Sequence, residues 1–146
     1  MLTPEQTFRA MLDVACRLQN GDHSQVSTLA EFYDEETDVR HPLNPLGDTP
    51  LRSREALRNH FAAGASAGLS GVCVEDVFVH RTADPELFIG EFTYRGEGGW
   101  ASPNIIVFRI RDGLIVESRD YIDHIGLARA TNTLDALCGQ ITSARG

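Results

Sequence analysis

"NIIVFRIRDGLIVESRDYI", residues 104–122, decides the fold. Two runs of alternating apolar and polar residues flank Arg111-Asp112-Gly113. Period-two alternation marks a half-buried strand, and Asp-Gly between two such runs is a strong hairpin signal. Working backwards, "ELFIGEFTYRG" (86–96) and "VCVEDVFVHRT" (72–82) repeat the pattern. "ADP" at 83–85 and "GEGG" at 96–99 supply the turns between them. Four long strands therefore form an antiparallel meander after Gly71.

Upstream of the meander the period changes. "TPEQTFRAMLDVACRLQNGD" (3–22) has apolar residues at Phe8, Met11, Leu12, Ala15 and Leu18, which is helical spacing. Thr3 is placed to cap this helix, Pro4 to occupy its first position and Glu5 to sit at its positive end. "NGD" at 20–22 ends it. A shorter helix is expected near Ser24 to Phe32, then a strand of about five residues in "ETDVRHP" (36–42). "SREALRNHFAAGASAG" (53–68) reads as a third helix, capped by Ser53, with Leu57 and Phe61 inside and Gly68 and Gly71 ending it. A last helix is expected from Gly126 to about Ile141. Helices first and strands later imply an α+β fold, with the helices packed on one face of a curved sheet.

Bulk properties exclude several functions. The chain has 146 residues, which fits one domain, and a net charge of -8, which disfavours a nucleic-acid partner. Its apolar runs fall far short of the ~20 residues of a membrane span, and "MLTPEQTFRA" lacks a signal-peptide pattern. Cys16, Cys73 and Cys138 are odd in number and widely spaced, fitting neither a disulfide framework nor a zinc site. They read as small buried hydrophobes in a reducing, cytoplasmic setting. No pair of histidines has metal-ligand spacing, so no metal is expected.

Polar residues on the apolar face of a helix-covered sheet are the candidates for chemistry. On the last strand Leu114, Val116, Ser118, Asp120 and Ile122 share one face, while Ile115, Glu117, Arg119, Tyr121 and Asp123 share the other. Asp120 thus lies on the more apolar side, where a carboxylate must be paired or its pKa must rise. Val39 and His41 share a face of the first strand. Glu91 shares one with Leu87 and Ile89. His60 lies on the third helix, at or near the pocket, and His23, His80 and His124 read as turn or strand-end residues. Plainer roles fit the same residues: a structural histidine beside Pro42, pairing of Asp120 with Arg119 or Arg109, or an outward Glu91 if a bulge shifts its register.

"FYDEETDVRHPLN", "LRSREALRNHF" and "IVFRIRDGLIVESRDYID" resemble the NTF2-like superfamily, which includes SnoaL-like polyketide cyclases, ketosteroid isomerase and limonene epoxide hydrolase. The resemblance covers nearly the whole chain. It implies a single NTF2-like domain over residues 1–146, a cone-shaped barrel of curved, mostly antiparallel sheet wrapped around helices. "DVFVHRTADPELFIGEFTYRGEG" further resembles the phenazine-biosynthesis A/B type. Where ketosteroid isomerase has an Asp base this chain has His41. Where that enzyme has its oxyanion-hole Tyr and Asp, the chain has Val14 and Ile106. Asp120 matches an Asp of limonene epoxide hydrolase. The rest of that enzyme's water-activating set, an Arg-x-Asp pair, a Tyr and an Asn, is replaced by Glu91-x-Thr93, Val39 and His41. The phenazine type matches best, with a His near the first strand and an acid on the last.

The resemblance implies His41 and Asp120 as an acid–base pair. Glu91, His60, Val39, Ser118, Phe61, Ile106 and Val14 are the expected substrate-binding residues. Such a pair suits cofactor-free isomerisation, cyclisation or condensation of a small apolar or aromatic metabolite. The alternatives are a non-catalytic ligand-binding or dimerisation module and an epoxide-hydrolase-like hydrolase. A sheet face left open carries Ile105, Val107 and Tyr121 among Arg109, Arg111 and Glu117; members of the resembled superfamily commonly pair such faces, so the resemblance implies a symmetric homodimer.

Overall fold

The computed structural model describes residues 1–65 and 69–144. In chain order the elements are α1 (Pro4–Gln19), α2 (Gln25–Ala30), β1 (Tyr33–Arg40), α3 (Arg54–Gly64), β2 (Cys73–Arg81), β3 (Leu87–Arg95), β4 (Ala101–Arg111), β5 (Leu114–Tyr121), α4 (His124–Ala130) and α5 (Leu134–Ala144). β2 to β5 form the expected antiparallel meander, and β1 joins β5 in parallel, giving the order β1-β5-β4-β3-β2. The sheet is curved but does not close into a barrel: β1 and β2 are its edges. Register shifts in the β1–β5, β2–β3 and β4–β5 pairs mark the bulges that bend it.

Local chemistry accounts for the elements. Thr3 and Gln6 form a reciprocal capping box on α1, with Gln6 N–H to Thr3 Oγ1 at 3.2 Å and Thr3 N–H to Gln6 Oε1 at 2.9 Å. Asp112 and Gly113 both take positive φ (52° and 79°) in the β4–β5 hairpin. That is the backbone such a two-residue turn needs. The edge of β1 is covered by Leu51, which exchanges two backbone hydrogen bonds with Val39, each 2.9 Å.

α1 presses its apolar stripe onto β3 and β4. The buried Phe8 ring lies parallel to Phe108 at 5.0 Å and edge-on to Phe92 at 6.0 Å. Gly90 makes this approach possible, because a Cβ there would sit 2.3 Å from Phe8 Cζ. Around them Met11, Leu12, Leu18, Phe88 and Ile110 complete a continuous core.

Five expectations need correction. β1 starts three residues early, at Tyr33, because its register shift lets Glu35 and Glu36 face solvent within the strand. β5 does not keep one parity: Ile110 pairs with Ile115 but Arg109 with Glu117, so Val116 is the extra residue of a bulge. Ile115 consequently turns inward and is buried, together with Ser118 and Asp120. α3 ends at Gly64, earlier than expected, and its expected terminator Gly68 lies outside the described residues. The cysteines are not all buried: Cys16 is part-buried, whereas Cys73 and Cys138 are exposed. Finally, the C-terminal helix is two helices. Asn132 takes φ 56° between them, and Thr133 N–H bonds back to Ala128 C=O at 2.8 Å. Among the described residues no helix is long and apolar enough to cross a membrane.

Candidate active site

β1 and β5 run side by side, with Arg40 opposite Arg119. The next residues along, His41 and Asp120, are therefore neighbours at the strand ends. Pro42 cannot donate to a ladder and biases His41 to an extended backbone, so the strand stops there. His41 N–H instead donates to Asp48 Oδ1 at 2.8 Å. This anchors the main chain and turns the imidazole inward, with its Nε2 3.7 Å from Asp120 Oδ2. Both side chains are largely shielded, 13% and 12% exposed.

Asp120 is on the inner face of the sheet with Ile106 opposite and Tyr33 and Tyr94 close by. Ser118 donates a very short hydrogen bond to its Oδ1. Burial pushes the Asp120 carboxyl up to about 6, and the Ser118 bond only partly offsets this. Burial also raises both tyrosine hydroxyls, Tyr33 well above its usual value, and the nearby Asp120 adds to the effect in each. The plainer role for Asp120 does not hold. Arg109 faces outward, bound to Asp84 (2.7 Å), Glu117 (3.3 Å) and Glu86 (3.4 Å), and Arg119 is exposed.

Two further imidazoles lie near His41. The His60 ring of α3 lies 5.1 Å from it, at the exposed rim. His124, the first residue of α4, is set by Asp123, whose side chain caps that helix through Gly126 N–H at 2.9 Å. Its Nε2 is buried without a hydrogen-bond partner. Desolvation lowers the pKa of all three histidines. His41 lowers His60 and His124 further, while Asp48 counteracts in His41 and Asp123 in His124. Neutral imidazoles beside a carboxyl that titrates near 6 make a set able to take and return protons without change of net charge. Among the described residues no three His, Cys, Asp or Glu side chains could hold a metal ion.

The remaining expected site residues divide. Ser118 touches Asp120, and Phe61 packs on Tyr33 with ring centroids 6.1 Å apart. Val14, Val39 and Ile106 are buried members of the core cluster. Glu91 is misplaced: it lies on the outer face, held by His80 Nε2 at 2.5 Å. The reason is that β3 turns Phe88, Gly90, Phe92 and Tyr94 inward, where the aromatic rings fill the space beside α1. Missing from the expectation were His124, Tyr33, Tyr94, Ser102 and Asn104. Ser102 and Asn104 share parity with Ile106, Phe108 and Ile110, which was a readable signal. Asn104 Oδ1 accepts Asp123 N–H at 2.9 Å, and Ser102 Oγ is buried without a partner.

Two hollows, of about 440 and 450 Å³, open on the surface, the first also touching Pro42, Asp48 and Ser118 beside the pair. The first is lined by Asp38, Arg40, Glu117 and Arg119, the second by Phe78, Glu91, Ile105 and Tyr121. Neither is lined by His41 or Asp120.

The family model for the SnoaL-like domain matches residues 8–118. Among solved structures, one similar protein comes from Bacillus subtilis and carries an isomerase name. It has 24% identity and a TM-score of 0.71, over 87% of this chain and 91% of that one. A phenazine biosynthesis-related protein from Pseudomonas aeruginosa has 16% identity and a TM-score of 0.63, over 91% and 87%. A de novo designed protein with a curved β-sheet reaches 0.60 at 12% identity, over 92% and 99%. At these identities the likenesses show the fold alone, as the designed protein makes plain. No curated protein matches the sequence.

Proposed function

Since the chain belongs to the SnoaL-like domain family, whose fold hosts more than one chemistry, we propose from its own site that it is a cofactor-free acid–base enzyme of isomerase, cyclase or condensation type. The carrying observation is the shielded His41–Asp120 contact of 3.7 Å. In the productive state the pair holds one proton, on Asp120. Neutral His41 removes a proton from a carbon beside a substrate carbonyl, and Asp120 donates its proton to that carbonyl oxygen. The enol so formed collapses when His41 returns its proton to a second carbon and Asp120 recovers its own. His41 must be neutral and Asp120 protonated, so activity should fall on the alkaline side as Asp120 loses its proton through about pH 6 and on the acid side as His41 takes one up.

The test is carbon–hydrogen exchange in deuterium oxide, followed by proton NMR across small cyclic and aromatic ketones and enones. Wild type should accelerate exchange for a subset of them. His41→Gln should lose that acceleration by about a hundredfold or more, the usual worth of a positioned acid–base group. Equal acceleration by the variant would refute the assignment.

A second reading, a non-catalytic binding or dimerisation module, draws on the outer sheet face. Phe78 and Ile105 are exposed there (57% and 42%) beside the 450 Å³ hollow. Exposed apolar area of this kind marks interaction surfaces. Light scattering at micromolar concentration would report a dimer. The hydrolase alternative lacks its water-activating set in this chain, where Glu91-x-Thr93 stands in place of the Arg-x-Asp pair.

A further inference from the structure

His60 and His124 have no part in the proton transfers above, yet both flank the pair that does. His60 stands at the exposed rim with its ring 5.1 Å from His41. His124 brings a buried, unpartnered Nε2 from α4, near enough to His41 for that imidazole to disfavour its protonation. A buried polar nitrogen without a partner is uncommon in folded proteins and points to a ligand group that completes it. The fixed anions nearby are already engaged. Asp123 caps α4, Asp48 holds the His41 amide, and Asp120 is bound by Ser118.

We infer that the substrate carries a carboxylate, which His124 and His60 receive while its reacting carbon lies over the His41–Asp120 pair. The inference rests on the acid–base reading of the site and names the substrate class it would take. An imidazole N–H donates to a carboxylate, and a charge-assisted bond follows when the ring takes up a proton. Binding must then be coupled to proton uptake. The facing groups fix the direction. His41 and Asp123 act on His124, and His41 faces His60. An incoming anion favours protonation of every one of them.

The experiment is calorimetric titration of wild type with benzoate and, separately, benzamide. It is run from pH 6 to 8 in two buffers of different ionisation enthalpy. Benzoate should bind at least about tenfold more tightly than benzamide, the worth of one charge-assisted hydrogen bond. Its affinity should fall as pH rises, with net proton uptake. His124→Gln and His60→Gln should each erase most of this preference, and melting curves show whether each is folded. If His124→Gln does not fold, His60→Gln decides. Inorganic phosphate competing as well as benzoate would mean a general anion site and overturn a substrate carboxylate. So would equal affinity for the amide, a pH-independent affinity, or no binding at millimolar concentration. His41→Gln separates the two readings: it should keep benzoate binding while losing carbon–hydrogen exchange. Exchange without benzoate preference would sink this inference alone. Benzoate preference in wild type without any exchange would sink the acid–base reading and leave the anion site.

Discussion

The two ends of the helix–sheet interface are built on opposite terms. At one end Phe8 stacks on Phe108 over Gly90, with every contact apolar and every ring filled against a neighbour. At the other, His41 and Asp120 are shielded from water, His60 stands at the exposed rim and one nitrogen of His124 is left without a partner. The first end stabilises the fold. The second is a cost carried by the first, since shielding an ionisable group without full hydrogen bonding is unfavourable. Where a fold keeps such a cluster, function is the natural account of it.

The largest effect should come from breaking the apolar end. Phe8→Ala removes a fully buried ring and should destabilise by about 3 to 5 kcal/mol, read from urea unfolding. A loss below about 1 kcal/mol would mean that this end is not where stability lies.

Asp120→Asn acts in the opposite sense. With its pKa raised to about 6, ionised Asp120 is penalised in the folded state. The penalty is absent below the ordinary carboxylate range, grows as pH rises through it and is complete above about 6. The shift corresponds to roughly 2 to 3 kcal/mol. The variant should therefore be more stable than wild type at pH 8 and nearly equal at pH 4. The three histidines oppose this trend. Their folded pKa values are lowered, so the stability they contribute is present above the ordinary imidazole value and is lost as pH falls below it. Wild type should thus have a shallow stability profile between pH 4 and 7, and Asp120→Asn a profile that simply declines on acidification.

His41→Gln should shift the melting temperature little, because the anchor of this segment is its backbone amide on Asp48 rather than its ring. A large loss of stability would make His41 a structural residue and blur the contrast between the ends. The smallest effect is expected on the outer face. Arg109→Gln breaks partly exposed pairs with Asp84, Glu86 and Glu117 and should cost about 1 kcal/mol or less, diminishing with added salt.

The apolar end was the more readable in sequence. The spacing of Phe8, Met11 and Leu12, the capping Thr3 and the Asp112-Gly113 turn each carry a local rule that the structure obeys. The polar end was read in part. His41 and Asp120 came from strand parity beside a proline, and both land together. Glu91 failed because β3 is apolar on both faces, so parity could not choose between Leu87–Ile89 and Phe88–Phe92; ring volume against α1 did. Ile115 failed because one extra residue, Val116, flips parity within a strand. His124 was invisible for another reason: its position depends on how Asp123 caps a short helix just after a strand, a tertiary arrangement with no periodic trace.

The central claim is that Asp120 is a shielded carboxyl poised to hold a proton beside His41. Carbon-detected NMR titration of the Asp120 side chain measures this directly, with Asp120→Asn to assign the signal. The account predicts a midpoint near 6. A midpoint at the ordinary aspartate value of about 4 would contradict it.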